Sequence, residues 1–144
     1  MNVENRVYPD AEQFAELGRP GPGEPIVMVN LLKFRERAAY PDGRDAHLSG
    51  REAYERYGSA FGQGLAEAGG RILFIGDVTS LQVGVVEQLW DEVVLVEYPS
   101  REAFHAMATS PRWREISVHR EAGLEGQLNI EAVPPKGFRA PGSR

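Results

Sequence analysis

The spacing of apolar residues changes along the chain, and the changes mark out its elements. Residues 26–34 (IVMVNLLKF) are apolar at nearly every position, as in a strand buried on both faces. Beyond them, Tyr54, Tyr57, Phe61, Leu65 and Ala68 recur three and four apart, which is one face of a helix. Ser49 and Glu52 form a capping box that opens this helix, and Gly69-Gly70 can take the left-handed conformation that closes it. Residues 71–79 (RILFIGDVT) predict a second strand, with residues 82–86 continuing it past a bend. Residues 91–98 (DEVVLVEY) predict a third. Pro99 ends that strand and Ser100 caps the next helix, which breaks near Ser110-Pro111, where proline suits a fresh first turn. It resumes through Trp113 and Ile116 and stops at Gly123. Residues 124–133 (LEGQLNIEAV) predict the last strand.

The order is β-α-β-β-α-β, the split βαβ pattern of an α+β, ferredoxin-like fold with an antiparallel sheet. In that topology the first and third strands are central and the second and fourth are edges. The last strand fits an edge with one wet face: Leu124, Leu128, Ile130 and Ala132 oppose Glu125, Gln127, Asn129 and Glu131. The central strands are apolar on both sides, with Val27, Val29 and Leu31 opposing Met28, Leu32 and Phe34. Two helices can cover only one face of the sheet. The other, several hundred Å² of apolar surface, calls for a cover, and the expected cover is the same face of a second copy. The competing expectation is that an N-terminal helix lies across it.

The ends of the chain change this picture little. Asp10 and Gln13 form another capping box, opening a short helix that carries Phe14 and Leu17 and stops at Gly18, followed by the linker GRPGPGEP. The expected organisation is therefore an N-terminal helix and linker over 1–25, one domain over 26–133, and a disordered tail over 134–144. The absence of cysteine removes disulfides and thiolate chemistry. The formal charge of −5 argues against nucleic acid as a partner. With no apolar run near the roughly 20 residues that span a bilayer and no secretory h-region, the expectation is a cytoplasmic protein with no membrane partner.

The segments VNLLKF, SGREAYERYG, GGRILFIG, WDEVVLVEYPS followed by REAF, and HREAGLEGQLNI occur in this order. Together, over about residues 26–133, the chain resembles the bacterial family known as domain of unknown function 1330. The resemblance implies a dimeric α+β barrel, in which two ferredoxin-like sheets face each other, and no established activity. The wider superfamily includes cofactor-free monooxygenases, muconolactone-type isomerases, polyketide cyclases and haem-handling enzymes, but a shared fold does not fix a function.

Polar residues set into apolar elements are the candidates for chemistry. Asn30 lies in the middle of a central strand, where an unpaired amide costs about 1–3 kcal/mol; either it is held by a structural hydrogen bond or it orients a ligand. Glu97 shares a face with Val93 and Leu95 and is a candidate general base if buried; otherwise it pairs with a nearby cation at the strand end. Tyr54 and Tyr57 either pack or donate into a cleft between helix and sheet. His119 and Arg120 are neighbours on a helix, roughly 100° apart, so they serve different atoms. Arg120 would take an anionic group and His119 a proton, unless both merely complement the helix C-terminus. Trp90 would be a pocket wall or core.

Glu97 and His119 are thus the candidate catalytic residues, and Asn30, Tyr54, Tyr57, Trp90 and Arg120 the candidate ligand contacts. The three histidines, His47, His105 and His119, lack paired ligand spacing, so no metal site is expected. There is no phosphate-binding loop or dinucleotide fingerprint, nothing signals haem, and no cofactor is called for. The glycines of GSAFGQG are read as allowing close packing. Two functions fit: a cofactor-independent enzyme performing proton transfer, isomerisation or oxygenation on a small organic substrate, or a non-catalytic ligand-binding or structural dimer module.

Overall fold

A computed structural model describes residues 1–138. Its elements are α1 (Ala11–Leu17), β1 (Ile26–Phe34), α2 (Gly50–Glu67), β2 (Arg71–Asp77), β3 (Glu92–Tyr98), α3 (Arg101–Ala108), α4 (Pro111–Gly123) and β4 (Leu124–Ala132). The strands form one antiparallel sheet in the order β2-β3-β1-β4, with β1 and β3 central, as a ferredoxin-like fold requires.

Local chemistry sets the helix ends. Ser49 Oγ accepts from the Glu52 N–H while the Glu52 side chain accepts from the Ser49 N–H. Gly69, at φ 79°, follows the end of α2, with Gly70 N–H donating to Leu65 O and Gly69 N–H to Ala66 O. These two bonds satisfy carbonyls that the helix leaves open. Ser100 and Ser110 each accept from the backbone N–H three residues on, and Pro111 occupies the first turn of α4.

The sheet buries one face under the helices. Ile26, Met28, Val96 and Tyr98 pack with Leu65, Phe61, Phe104 and Met107, and Leu32 and Phe34 pack with Leu124, Tyr54 and Val7. Even-numbered β1 residues therefore point to the helices, and Val27, Val29 and Leu31 point away. The register pairs these outward residues with Glu97, Leu95 and Val93 on β3 and with Ala132, Ile130 and Leu128 on β4.

The alternation expected along β4 holds from Gln127 to Ala132 but does not include Leu124. Leu128 and Ile130 lie on the open sheet face, whereas Gln127, Asn129 and Glu131 lie on the helix side. A register shift near Phe34 separates Leu124, which is buried, from the alternation that follows. One inserted residue moves all later side chains to the other face.

The open face is not covered by α1. That helix lies beside α3, where Arg101 bonds Glu16 Oε1 and Pro20 O, and Gly21 N–H donates to Glu102 Oε1. Phe74 on β2 and Ile130 on β4 remain about half exposed. Residues 82–86, expected to extend β2, instead belong to the connection over 78–91, in which Val83 and Val85 are almost fully exposed. A strand there would need a partner for its backbone groups, and the described residues provide none. The base of this connection is pinned: Val78 N–H donates to Asp91 O and Asp91 N–H to Leu32 O. Residues 139–144, most of the tail read as disordered, lie outside the described residues.

Close packing by glycine occurs away from the predicted run. A Cβ on Gly58 or Gly62 would meet nothing within 4 Å. The tight contact is where α2 begins and α4 ends: a Cβ on Gly50 would stand 2.7 Å from both Arg35 N and Gly123 O. Gly50 N–H donates to Arg35 O and Arg35 N–H to Gly123 O, so three segments meet there backbone to backbone.

Candidate functional site

The end of α4 next to this junction carries Arg120, whose side chain points into the protein. Arg120 is 7% exposed, and its Nη1 has no hydrogen-bond partner among the described residues. Leaving a buried donor unpaired costs on the order of 1–3 kcal/mol, more for a charged group. The guanidinium lies 5.4 Å from the Tyr8 ring centroid and 5.8 Å from that of Trp113. Such cation–π contacts return only about 0.5–2 kcal/mol.

Aromatic hydroxyls surround this charge. Trp113 Nε1 donates to Tyr57 Oη at 3.0 Å, the Tyr54 and Tyr57 rings are 5.3 Å apart, and Tyr8 Oη donates to Glu121 Oε2 at 3.1 Å. Burial pushes the hydroxyls of Tyr54 and Tyr57 up, and the Arg120 charge opposes only part of that effect. Both tyrosines therefore remain protonated at neutral pH, and although Tyr57 accepts from Trp113, each keeps an O–H that it can donate, so neither is a base. The carboxyl of Glu92, on the helix side of β3, is also raised by burial, although Arg51 Nη1 at 2.9 Å holds it back.

The remaining candidates are dispersed. Asn30 is on the helix side with its amide engaged: Nδ2 donates to Val94 O at 3.1 Å, and Oδ1 accepts from Asn129 Nδ2 at 2.6 Å. Glu97 is on the open face, bonded to Arg71 Nε at 3.0 Å. The sheet thus stands between Glu97 and Asn30. His119 Nδ1 and Tyr40 Oη are 2.7 Å apart, and Arg56 donates to the same hydroxyl. Burial, then the charges of Arg56 and Arg44, hold the imidazole below its usual range. This group adjoins an open cleft of about 220 Å³ lined by Tyr40, Pro41, Asp42, Arg44 and Val118. Trp90 Nε1 donates to Asn5 Oδ1 at 2.8 Å and tethers the N-terminal segment.

The structure therefore brings together Tyr54, Tyr57 and Arg120, and it places Glu97, His119 and Trp90 elsewhere. Sequence reasoning missed Trp113, Tyr8 and Glu92 as neighbours of the Arg120 group. Trp113 was within reach, since Trp113, Ser117 and Arg120 follow the i, i+4, i+7 spacing of one helix face. Nothing local to Tyr8 shows that the N-terminus folds back over α4.

An α+β sheet with this strand order and one bare face defines a ferredoxin-like domain. The chain belongs to the family described as domain of unknown function (DUF1330), whose model matches residues 44–132. It is similar to a crystal structure of a protein of unknown function from Rhodopseudomonas palustris, with 35% identity, 92% of this chain and 99% of that chain covered, and a TM-score of 0.83. The methylated form of that protein gives 36% identity, coverage of 95% and 100%, and a TM-score of 0.85. A dabb family protein with a ferredoxin-like fold from Mesorhizobium loti shares the fold at 13% identity, with coverage of 78% and 98% and a TM-score of 0.50. Among curated proteins, none matches.

Proposed function

We propose that this chain binds a small organic molecule between its helices and sheet and works as a two-fold dimer. The observation that carries the binding reading is the buried, unpaired guanidinium of Arg120 among aromatic rings and hydroxyls. A fold rarely keeps such a group without a use, because replacing a buried charge by apolar packing is often neutral or stabilising. Binding is favoured over catalysis, since Glu97 and His119 lie on opposite sides of the sheet and each has a protein partner.

The dimer reading rests on the open face. Seven paired positions at about 3.3 Å rise and four strands about 4.8 Å apart give a face of roughly 400 Å² in projection. Its centre is Val27, Val29, Leu31, Val93 and Leu95, and its charges (Lys33, Arg71 and Glu97) stand at the strand ends. An apolar centre with a charged rim is the anatomy of an interface. The ~800 Å² per partner of a stable complex then requires further area, for which the exposed Val83 and Val85 of the 78–91 connection are the candidates.

A structural dimer module without ligand is the second reading, supported by the protein partners that occupy Asn30 and Glu97. A fragment screen by NMR separates the two. Binding predicts hits that move the Trp113 indole N–H resonance. A screen without such hits, on a protein that light scattering shows to be dimeric, leaves the structural module. Leu95→Glu is expected to give a folded monomer; a wild type that is already monomeric at micromolar concentration removes the dimer.

A further inference from the structure

We infer that Arg120 anchors a monocarboxylate with a flat, unsaturated body, and that Tyr8 plugs this site in the free protein by resting its own ring on the guanidinium. The inference deepens the small-molecule reading above and rests on it.

The chemistry of the site selects the ligand class. A guanidinium presents a planar fork that matches a carboxylate, and Arg120 has a buried donor free to complete it. Arg51 is taken up by Glu92, and the carboxylate of Glu121 also lies near, so Arg120 is the one guanidinium there without a carboxylate partner and a dianion such as phosphate would bring more negative charge than it can balance. The nearby walls are rings: Trp113 on α4, and Tyr54 and Tyr57 on α2. A flat apolar body stacks on such walls, and the tyrosine hydroxyls can donate to a second acceptor oxygen.

Tyr8 already occupies part of this position. Its ring lies 5.4 Å from the guanidinium carbon, and its hydroxyl bonds Glu121 at 3.1 Å. The residue is 43% exposed, so one side of the plug faces water. The strand-like segment behind it is held at three points: Arg6 N–H donates to Gln127 O, Gln127 N–H donates to Arg6 O, and the Trp90 indole bonds Asn5. These bonds keep residues 5–6 in place, while Tyr8 gives up only its hydroxyl contacts with Glu121 and Ser117 and its ring contact with Arg120 to swing clear. Free protein is then mostly in a plugged state, and the apparent affinity is reduced by the fraction that is open.

The test uses full-length protein with benzoate, cyclohexanecarboxylate and pyruvate as probes, benzamide as the uncharged control, and a neutral fragment set. Binding is read from NMR titration of the Trp113 indole resonance and from thermal midpoint. Benzoate is expected to bind and benzamide, of nearly the same shape, to bind at least about tenfold more weakly. Arg120→Gln is expected to lose the benzoate preference, and Arg120→Lys, which retains the charge without the fork, to keep part of it. Circular dichroism verifies that both variants are folded. Tyr8→Ala is expected to bind benzoate about tenfold more tightly. Equal binding of benzamide, benzoate binding that survives Arg120→Gln, or a Tyr8→Ala protein that binds no better than wild type overturns the inference. If neutral fragments bind and none of the three carboxylates does, the ligand class falls while the pocket reading stands. If nothing moves the indole resonance, both fall.

Discussion

Replacing Gly50 by alanine adds one methyl group at the point where the first turn of α2, the end of β1 and the end of α4 meet. The new Cβ would stand 2.7 Å from Arg35 N and from Gly123 O, whereas carbon makes comfortable contact at about 3.5 Å. Arg35 O is closer still, so the neighbours must retreat by at least about 0.8 Å, and all three are backbone atoms that hydrogen bonds hold in place. Overpacking of this kind costs about 1–3 kcal/mol, and the rigidity of the partners puts Gly50→Ala at the upper end. At about 2–4 °C per kcal/mol for a chain of this size, the thermal midpoint should drop by about 6–12 °C. Gly58→Ala is the control on the same helix. Its Cβ would meet nothing within 4 Å, so the change should raise helix stability by about 0.5–1 kcal/mol. Both variants are melted at one protein concentration by circular dichroism, with urea titration in parallel. A Gly50→Ala protein as stable as wild type would falsify the close crossing of α2 and α4.

Other outcomes follow from single contacts. Leu32→Ala removes a side chain that is 0% exposed and should cost about 2–5 kcal/mol in urea unfolding. The carboxyl of Glu131 is held below its ordinary value by bonds from Arg101 Nε and Nη2. Its stabilising effect is complete above the ordinary value of 4.5 and lost as pH falls through the lowered folded one. Glu131→Gln should therefore be less stable near neutrality, with a smaller loss of stability on acidification below pH 4.5; an unchanged acid limb removes this assignment. Trp90→Phe deletes the indole bond to Asn5 and should speed hydrogen exchange at residues 5–8 without moving the exchange of β1 or β3.

Much of the fold was legible because local rules and burial agree there. The capping serines, Pro111 and Gly69 have roles set by their immediate neighbours, and β1 is apolar enough to be central in any arrangement. The β4 alternation breaks at its start for a physical reason: the register shift between Lys33 and Phe34 puts Leu124 on the helix side and Leu128 on the open face, and Gly126, an isolated glycine within the strand, was the sequence signal for such a bulge. The site was legible only along single elements. Arg120 and the Tyr54–Tyr57 pair could be singled out by position, but which carboxylate shares their side of the sheet depends on strand pairing. Glu97 pairs with Val27 on the open face, and Glu92 pairs with Leu32 on the helix side. Tyr8 reaches Arg120 through long-range docking, which sequence spacing does not encode.

The connection between β2 and β3 has its two ends fastened before it departs from the sheet, through the bonds of Val78 and Asp91. Its length is therefore decoupled from strand register. Doubling such a segment adds only about 0.6 kcal/mol of closure entropy. Residues 79–90 can accept an inserted peptide or a fluorescent label while the strands beneath remain aligned. A probe grafted at Val83 or Val85, both almost fully exposed, would report optically on this connection while leaving the sheet undisturbed.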